Sequence, residues 1–128
     1  MLDWLSHSMQ RALPLMLVLS AISAPANGSQ NGVGLTRFEF RTASVDTPIV
    51  GYIFYPSAVG PKRTQIGVYE VAAHLDAPPL SGGRSPLVII SHGQGGSPLG
   101  HHDLATFLSA HGYVVASLEH PKDNVNDS

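Results

Sequence analysis

From Leu87 to Ser97 the chain reads LVIISHGQGGS, an unbroken apolar run that meets a histidine and then sets Gly93, Gly95 and Gly96 within four positions. A run apolar on both faces suits a strand inside a parallel sheet, because helices cover such a strand above and below. The residues that follow, SPLGHHDLATFLSAHG, predict a helix with Ser97 as N-cap, Pro98 at the first helical position and Gly112 just past the end. Leu104, Phe107, Leu108 and His111 fall at i, i+3, i+4 and i+7, which predicts one inward stripe. YVVASLE then reads as another apolar strand. Strand, glycine turn, helix and strand make a βαβ unit, and the fold class is α/β.

Two strands precede this unit. TRFEFRT alternates sharply, with Phe38 and Phe40 on one side and Arg37, Glu39 and Arg41 on the other, the period of a half-buried strand. TPIVGYIFYP is a second β-rich segment, where Gly51 marks a bulge or a close backbone approach. With only ASVD between them, the two are expected to pair as antiparallel neighbours near a sheet edge. Residues 56–86 carry so many prolines and glycines that at most one short helical turn fits, around EVAAHL. A connection of this length often lies over a functional face, although a plain surface excursion is the commoner reason for one.

The first residues are read separately. Arg11 is followed by ALPLMLVLSAISA, an apolar run of 13 residues leading into Ala24-Pro25-Ala26. That is the layout of a secretory signal with cleavage after Ala26, and the run is shorter than the ~20 apolar residues a membrane span needs. Residues 1–26 are therefore expected to be a signal peptide, and 27–128 the mature domain, secreted or periplasmic and without a stable membrane span. Cysteine is absent, so stability must come from a packed core rather than disulfides. A net charge of −2 with no basic run beyond Lys62-Arg63 gives no attraction to nucleic acid.

Several uses of the glycine turn can be weighed. A P-loop needs G-x-x-x-x-G-K-[ST]; Gly95 and Gly100 have the spacing, but His101 and His102 stand where the lysine and hydroxyl belong. The dinucleotide fingerprint G-x-G-x-x-G is matched at Gly93 and Gly95 only, with Pro98 in the third place. Glu119, where a ribose-binding acid would sit, is 26 residues beyond Gly93, against a usual spacing of about 20. A dinucleotide-binding fragment is thus a minor alternative. Another use is anion stabilisation: backbone N–H groups at the end of a central strand can receive charge that develops on a carbonyl under attack. The plain alternative is a tight turn that needs positive φ and nothing more. His101, His102 and Asp103 are consecutive on the predicted helix, so their side chains fan out by about 100° each instead of converging on a metal, and a solvated first turn is expected. His120 and Asp123, after the last strand, are expected in a hydrogen-bonded turn at the rim of the same face.

The stretch PLVIISHGQGGSPLGHHDLATFLSAHGYVVASLEHP, with FYP and DAPP before it, resembles the N-terminal part of α/β-hydrolases of the dienelactone hydrolase-like and platelet-activating-factor acetylhydrolase-like group. The resemblance runs from about residue 35 to the end and implies an esterase fold with strand order 1-2-4-3-5 and onward. It implies that the backbone N–H of Gln94 serves the oxyanion hole, that Gly93 permits the turn, and that His92 braces the loop. It implies a small-molecule ester substrate and neither cofactor nor metal.

An α/β-hydrolase carries its nucleophile on a G-x-S-x-G elbow, followed by an acid and a histidine. The nearest approach is Gly95-Gly96-Ser97-Pro98-Leu99, where leucine replaces the last glycine and the serine is placed as a cap. The expectation is an N-terminal portion of a secreted serine ester hydrolase, truncated before the elbow and inactive alone. Its sheet would be incomplete, with the LVII strand at an open edge that invites self-association. The alternative from another class is a small secreted binding module that uses that edge as a docking surface.

Overall fold

The computed structural model describes residues 31–43 and 45–124. The expected signal peptide, residues 1–26, lies outside the described residues. Strand β1 (Gly32–Thr42) pairs antiparallel with β2 (Val45–Ser57), Leu35 opposite Phe54 and Phe38 opposite Gly51. Both strands are longer than their sequence signals, β1 starting at Gly32 ahead of TRFEFRT and β2 at Val45 ahead of TPIVGYIFYP. Arg37 and Arg41 flank Glu39 at 3.8 and 3.5 Å, while the Phe38 and Phe40 rings stack at 5.9 Å. Period-two alternation produces this division into a charged and an aromatic side.

The excursion after β2 is not helical at EVAAHL, contrary to the sequence reading. Strands β3 (Thr64–Ile66) and β4 (Tyr69–Val71) form a small hairpin, and β5 (His74–Leu75) runs parallel to β1. Val71 and Ala73 are buried while Glu70 and Ala72 are exposed, so the segment follows a period of two. Two adjacent alanines hid that period, because alanine is compatible with either face and is a strong helix former. The chain is then stitched to the end of β2 by Ser57 Oγ donating to the Pro78 carbonyl at 2.8 Å, Leu80 N–H to the Pro56 carbonyl at 2.8 Å and Tyr55 Oη to the Ala77 carbonyl at 2.7 Å. Burial first, and the Asp76 carboxylate second, raise the Tyr55 phenol above its ordinary value of 10.0, which keeps it a donor.

Strand β6 (Leu87–Ser91) and strand β7 (Val114–Leu118) pair parallel, joined through α1 (His102–Ala110) as the βαβ pattern requires. The main sheet has the order β5-β1-β2-β7-β6. The last four strands reproduce the order 1-2-4-3, and this mixed five-stranded sheet with one helix is an incomplete α/β-hydrolase fold. Helix α1 ends as expected: Gly112 at φ 96° lets its own N–H reach the Ser109 carbonyl and the Tyr113 N–H reach that of Leu108, a Schellman closure.

Where α1 begins and which face it buries both differ from the sequence reading. Ser97 Oγ accepts the Leu99 N–H at 3.2 Å in a turn ahead of the helix, and His101 occupies the N-cap position without a side-chain bond. Ala105, Thr106 and Ser109 are the buried positions, whereas Leu104 and Phe107 are 51% and 59% exposed. Small side chains let the helix lie close on the sheet, and hydropathy alone puts the larger residues inward. His111 is exposed, its Nδ1 2.7 Å from the Phe107 carbonyl oxygen and its ring on that of Phe107 at 4.3 Å.

The core lies between α1 and one sheet face, built from Leu35, Phe54, Val71, Ile90, Leu99 and Val115 among others. Phe54 is fully buried, worth roughly 1.5–3 kcal/mol of transfer free energy for a side chain of this kind. The opposite face has no helix over it among the described residues, and there Leu87 and Ile89 of β6 are each 62% exposed. No described helix is long and apolar enough to cross a membrane.

Candidate functional site

The turn after β6 is set by its glycines. Gly96 N–H donates to the Gly93 carbonyl at 3.0 Å, so Gln94 and Gly95 are the two central residues. Gly95 has φ 64°, the positive value that a type II turn demands at its third residue. Gly95 N–H is held by Asp123 Oδ1 at 3.2 Å. Gln94 is exposed, and among the described residues no group accepts a hydrogen bond from its amide. Of the turn's two central amides, Gln94's is the one left without an acceptor there. Gly93 sits at the first position of the turn and is itself exposed.

His92 is 7% exposed and bridges two loops. Its Nε2 accepts the His120 N–H at 3.1 Å, so that nitrogen carries a lone pair and the proton is on Nδ1, which donates to the Gly93 carbonyl at 2.8 Å. With both ring nitrogens occupied, the imidazole braces the loop and has no lone pair left for proton transfer.

The loop after β7 completes the arrangement. The His120 ring lies 4.2 Å from that of His92, and its Nε2 is 2.8 Å from Ser91 Oγ. Asn124, buried, donates through Nδ2 to the His120 carbonyl at 2.8 Å and forms a parallel bridge with Gly96. Sequence reasoning placed His120 and Asp123 at this rim and missed Ser91 and Asn124. The available signal was position: Ser91 ends a strand one residue before His92, and Asp123-Asn124 follow the neighbouring strand's end.

The other candidates lie apart from the turn. His101 and Asp103 are exposed, while His102 is part-buried with its ring 5.7 Å from that of Tyr69, so it is not the solvated residue expected. His102 Nδ1 stands 3.2 Å from Asp103 Oδ1. Residues 76–80 are tied to the end of β2, beside the start of β6, whereas Gln94 follows the finish of β6; this part of the excursion therefore lies at the other end of the sheet from the site. Concavities beside α1, Tyr55 and Arg37 are lined by none of the residues from His92 to Gly96. Chemically, then, the turn offers a main-chain donor without an acceptor among the described residues, on a loop held by hydrogen bonds.

Comparison with known proteins agrees with this fold. No curated protein matches the chain. Among solved structures, ferulic acid esterase from Streptomyces cinnamoneus is similar, with a TM-score of 0.66 at 20% identity over 80% of this chain. The chain spans 37% of that esterase's length. The family model described as platelet-activating factor acetylhydrolase, isoform II, matches residues 54–126, from Phe54 near the end of β2 through the loop that carries His120 and Asn124. That match takes in more than half of the sequence and all of the turn, and the chain belongs to the platelet-activating factor acetylhydrolase, isoform II, family.

Proposed function

We propose that this chain supplies the oxyanion-binding portion of a secreted or periplasmic carboxylic ester hydrolase, with a small-molecule ester as substrate. The carrying observation is that Gln94, an exposed residue, has a main-chain amide without an acceptor among the described residues, on a turn whose other central amide is engaged. Gly93 supplies the carbonyl that closes the turn, and His92 braces it. In the reaction a serine, activated by a histidine, attacks the ester carbonyl; the Gln94 N–H donates to the oxygen that gains the negative charge, and that donor is absent from bulk water's disordered arrangement. The family's name, an acetylhydrolase, and that of the structural neighbour, a ferulic acid esterase, both favour ester chemistry.

The sequence holds no G-x-S-x-G, and in this reading the nucleophile, acid and catalytic histidine come from outside these residues. The purified chain is accordingly expected to hydrolyse a short-chain chromogenic ester no faster than buffer. Turnover that survives repurification and tracks the protein would overturn the division of labour proposed here.

A second reading rests on the edge of the sheet. Val114 N–H donates to the Pro86 carbonyl at 2.9 Å, which by the alternation of a parallel ladder turns the amides and carbonyls of Leu87, Ile89 and Ser91 away from β7. This edge carries no charge and no proline over Leu87–Ser91, so it lacks the usual protections against pairing. Self-association through β6 is its expected consequence.

A further inference from the structure

We infer that Asp123 and His120, on the loop after β7, are positioning residues that set the turn after β6 and keep the Gln94 amide as its outward donor. The inference rests on the reading of Gln94 as an oxyanion donor and assigns the residues that would orient it. A four-residue turn with a glycine at positive φ has several accessible forms, since glycine tolerates them all. Here four contacts from one short loop hold a single form. Asp123 Oδ1 takes the Gly95 N–H at 3.2 Å, and His120 N–H fixes the His92 ring at 3.1 Å, which in turn holds the Gly93 carbonyl at 2.8 Å. The His120 ring, 2.8 Å from Ser91 Oγ, covers that of His92 at 4.2 Å. Asn124 closes the loop on His120 at 2.8 Å.

The Asp123 contact has a particular effect on donor identity. Both central amides of the turn could serve an anion, and a carboxylate on Gly95 removes one of them from use. It also fixes the peptide plane between Gln94 and Gly95, while the neighbouring plane, which carries the Gln94 N–H, is held through the Gly93 carbonyl by His92 Nδ1 at 2.8 Å and Gly96 N–H at 3.0 Å. A hydrogen bond that is charge-assisted in this way is stronger than a neutral one. Because Asp123 is exposed, its replacement leaves no cavity.

The test uses the ¹⁵N-labelled full chain and two variants, Asp123→Ala and Asp123→Asn. Asparagine keeps an oxygen acceptor for Gly95; alanine does not. The expected result is that exchange of the Gly95 amide speeds up by about tenfold or more in Asp123→Ala, from loss of its one acceptor, and that the Gln94 amide resonance shifts or broadens. In Asp123→Asn both signals return towards the original values. Ser91→Ala, which frees the His120 ring, is expected to shift the His92 ring and Gly93 resonances in the same direction as Asp123→Ala. If Gly95 and Gln94 behave alike in all chains, the positioning role is wrong. A parallel titration with butylphosphonate separates the two claims: no response at Gln94 in any chain refutes the oxyanion reading, while the amide comparison still decides whether the β7 loop sets the turn.

Discussion

Gly51→Val is expected to leave the chain without a cooperatively folded state. A Cβ at this position would lie 2.2 Å from the Ser117 carbonyl oxygen and 2.8 Å from the tip of the Phe38 ring. The ring can swing aside, but Ser117 O belongs to the β2–β7 ladder, in which Gly51 is opposite Leu118. Overpacking against movable side chains costs about 1–3 kcal/mol. Here the obstacle is backbone at the junction of the antiparallel pair and the parallel unit, so relief requires breaking that ladder. The total stability of small domains is only about 5–15 kcal/mol, and this one has α1 over just one face of its sheet. Loss of the β-sheet circular dichroism signal and of a thermal transition is the expected readout. A variant melting cooperatively within a few degrees of the parent would show that β2 and β7 do not meet at Gly51.

Ile89→Lys is expected to shift the chain from associated to monomeric species. Ile89 is the midpoint of β6 and exposes an apolar side chain beside Leu87 on the uncovered face, with its amide and carbonyl on the free edge. An antiparallel pair of β6 strands from two copies, centred on Ile89, would place Leu87 opposite Ser91 of the second copy and satisfy the outward groups of all three residues on each strand. A lysine there sets two ammonium groups directly opposite each other, and like charges across a strand pair are destabilising. Sedimentation velocity across a dilution series checks this: the parent sediments faster as concentration rises, and the variant does not. Equal behaviour of the two chains at every concentration would remove the edge as an interface.

The βαβ unit was legible because its signals are local. Gly112 specifies the end of α1 through its positive φ of 96°, and a short apolar run bounded by glycine and proline marks β6. The antiparallel pair was legible too, since Phe38, Glu39 and Phe40 alternate without interruption. Gly51 was readable as a close approach, and the bulge it also allowed is absent there, the register shift between β1 and β2 lying instead at Phe40 and Thr42. What sequence hid depends on distance in space. The helix buries Ala105, Thr106 and Ser109 because the sheet comes close, which hydropathy cannot encode. The hairpin of β3 and β4 gains its inward face only by meeting the core at Val71. At the candidate site, His92, Gly93 and Gln94 are what the resemblance implies, whereas the contacts of Asp123 and Ser91 join residues 28 and 29 apart along the chain. No spacing rule points to them; parallel pairing of β6 with β7 brings the two strand ends together.

The Gln94 main-chain N–H is proposed above as a donor prepared for a carbonyl oxygen that becomes charged. Its most direct test is Gln94→Pro, which deletes that hydrogen and little else. Proline is favoured at the second residue of a type II turn, which Gln94 occupies ahead of Gly95 at φ 64°. Such a replacement at a compatible site changes stability by only about 0.4–1 kcal/mol, in the stabilising direction. Butylphosphonate, a tetrahedral anion resembling the intermediate of ester cleavage, is the probe, and its ³¹P line width reports binding in both chains. Broadening is expected with the parent chain, together with a downfield movement of the Gln94 amide proton, and none with Gln94→Pro, whose melting temperature is expected to be no lower than the parent's. Equal broadening with the two chains would contradict the donor role of Gln94.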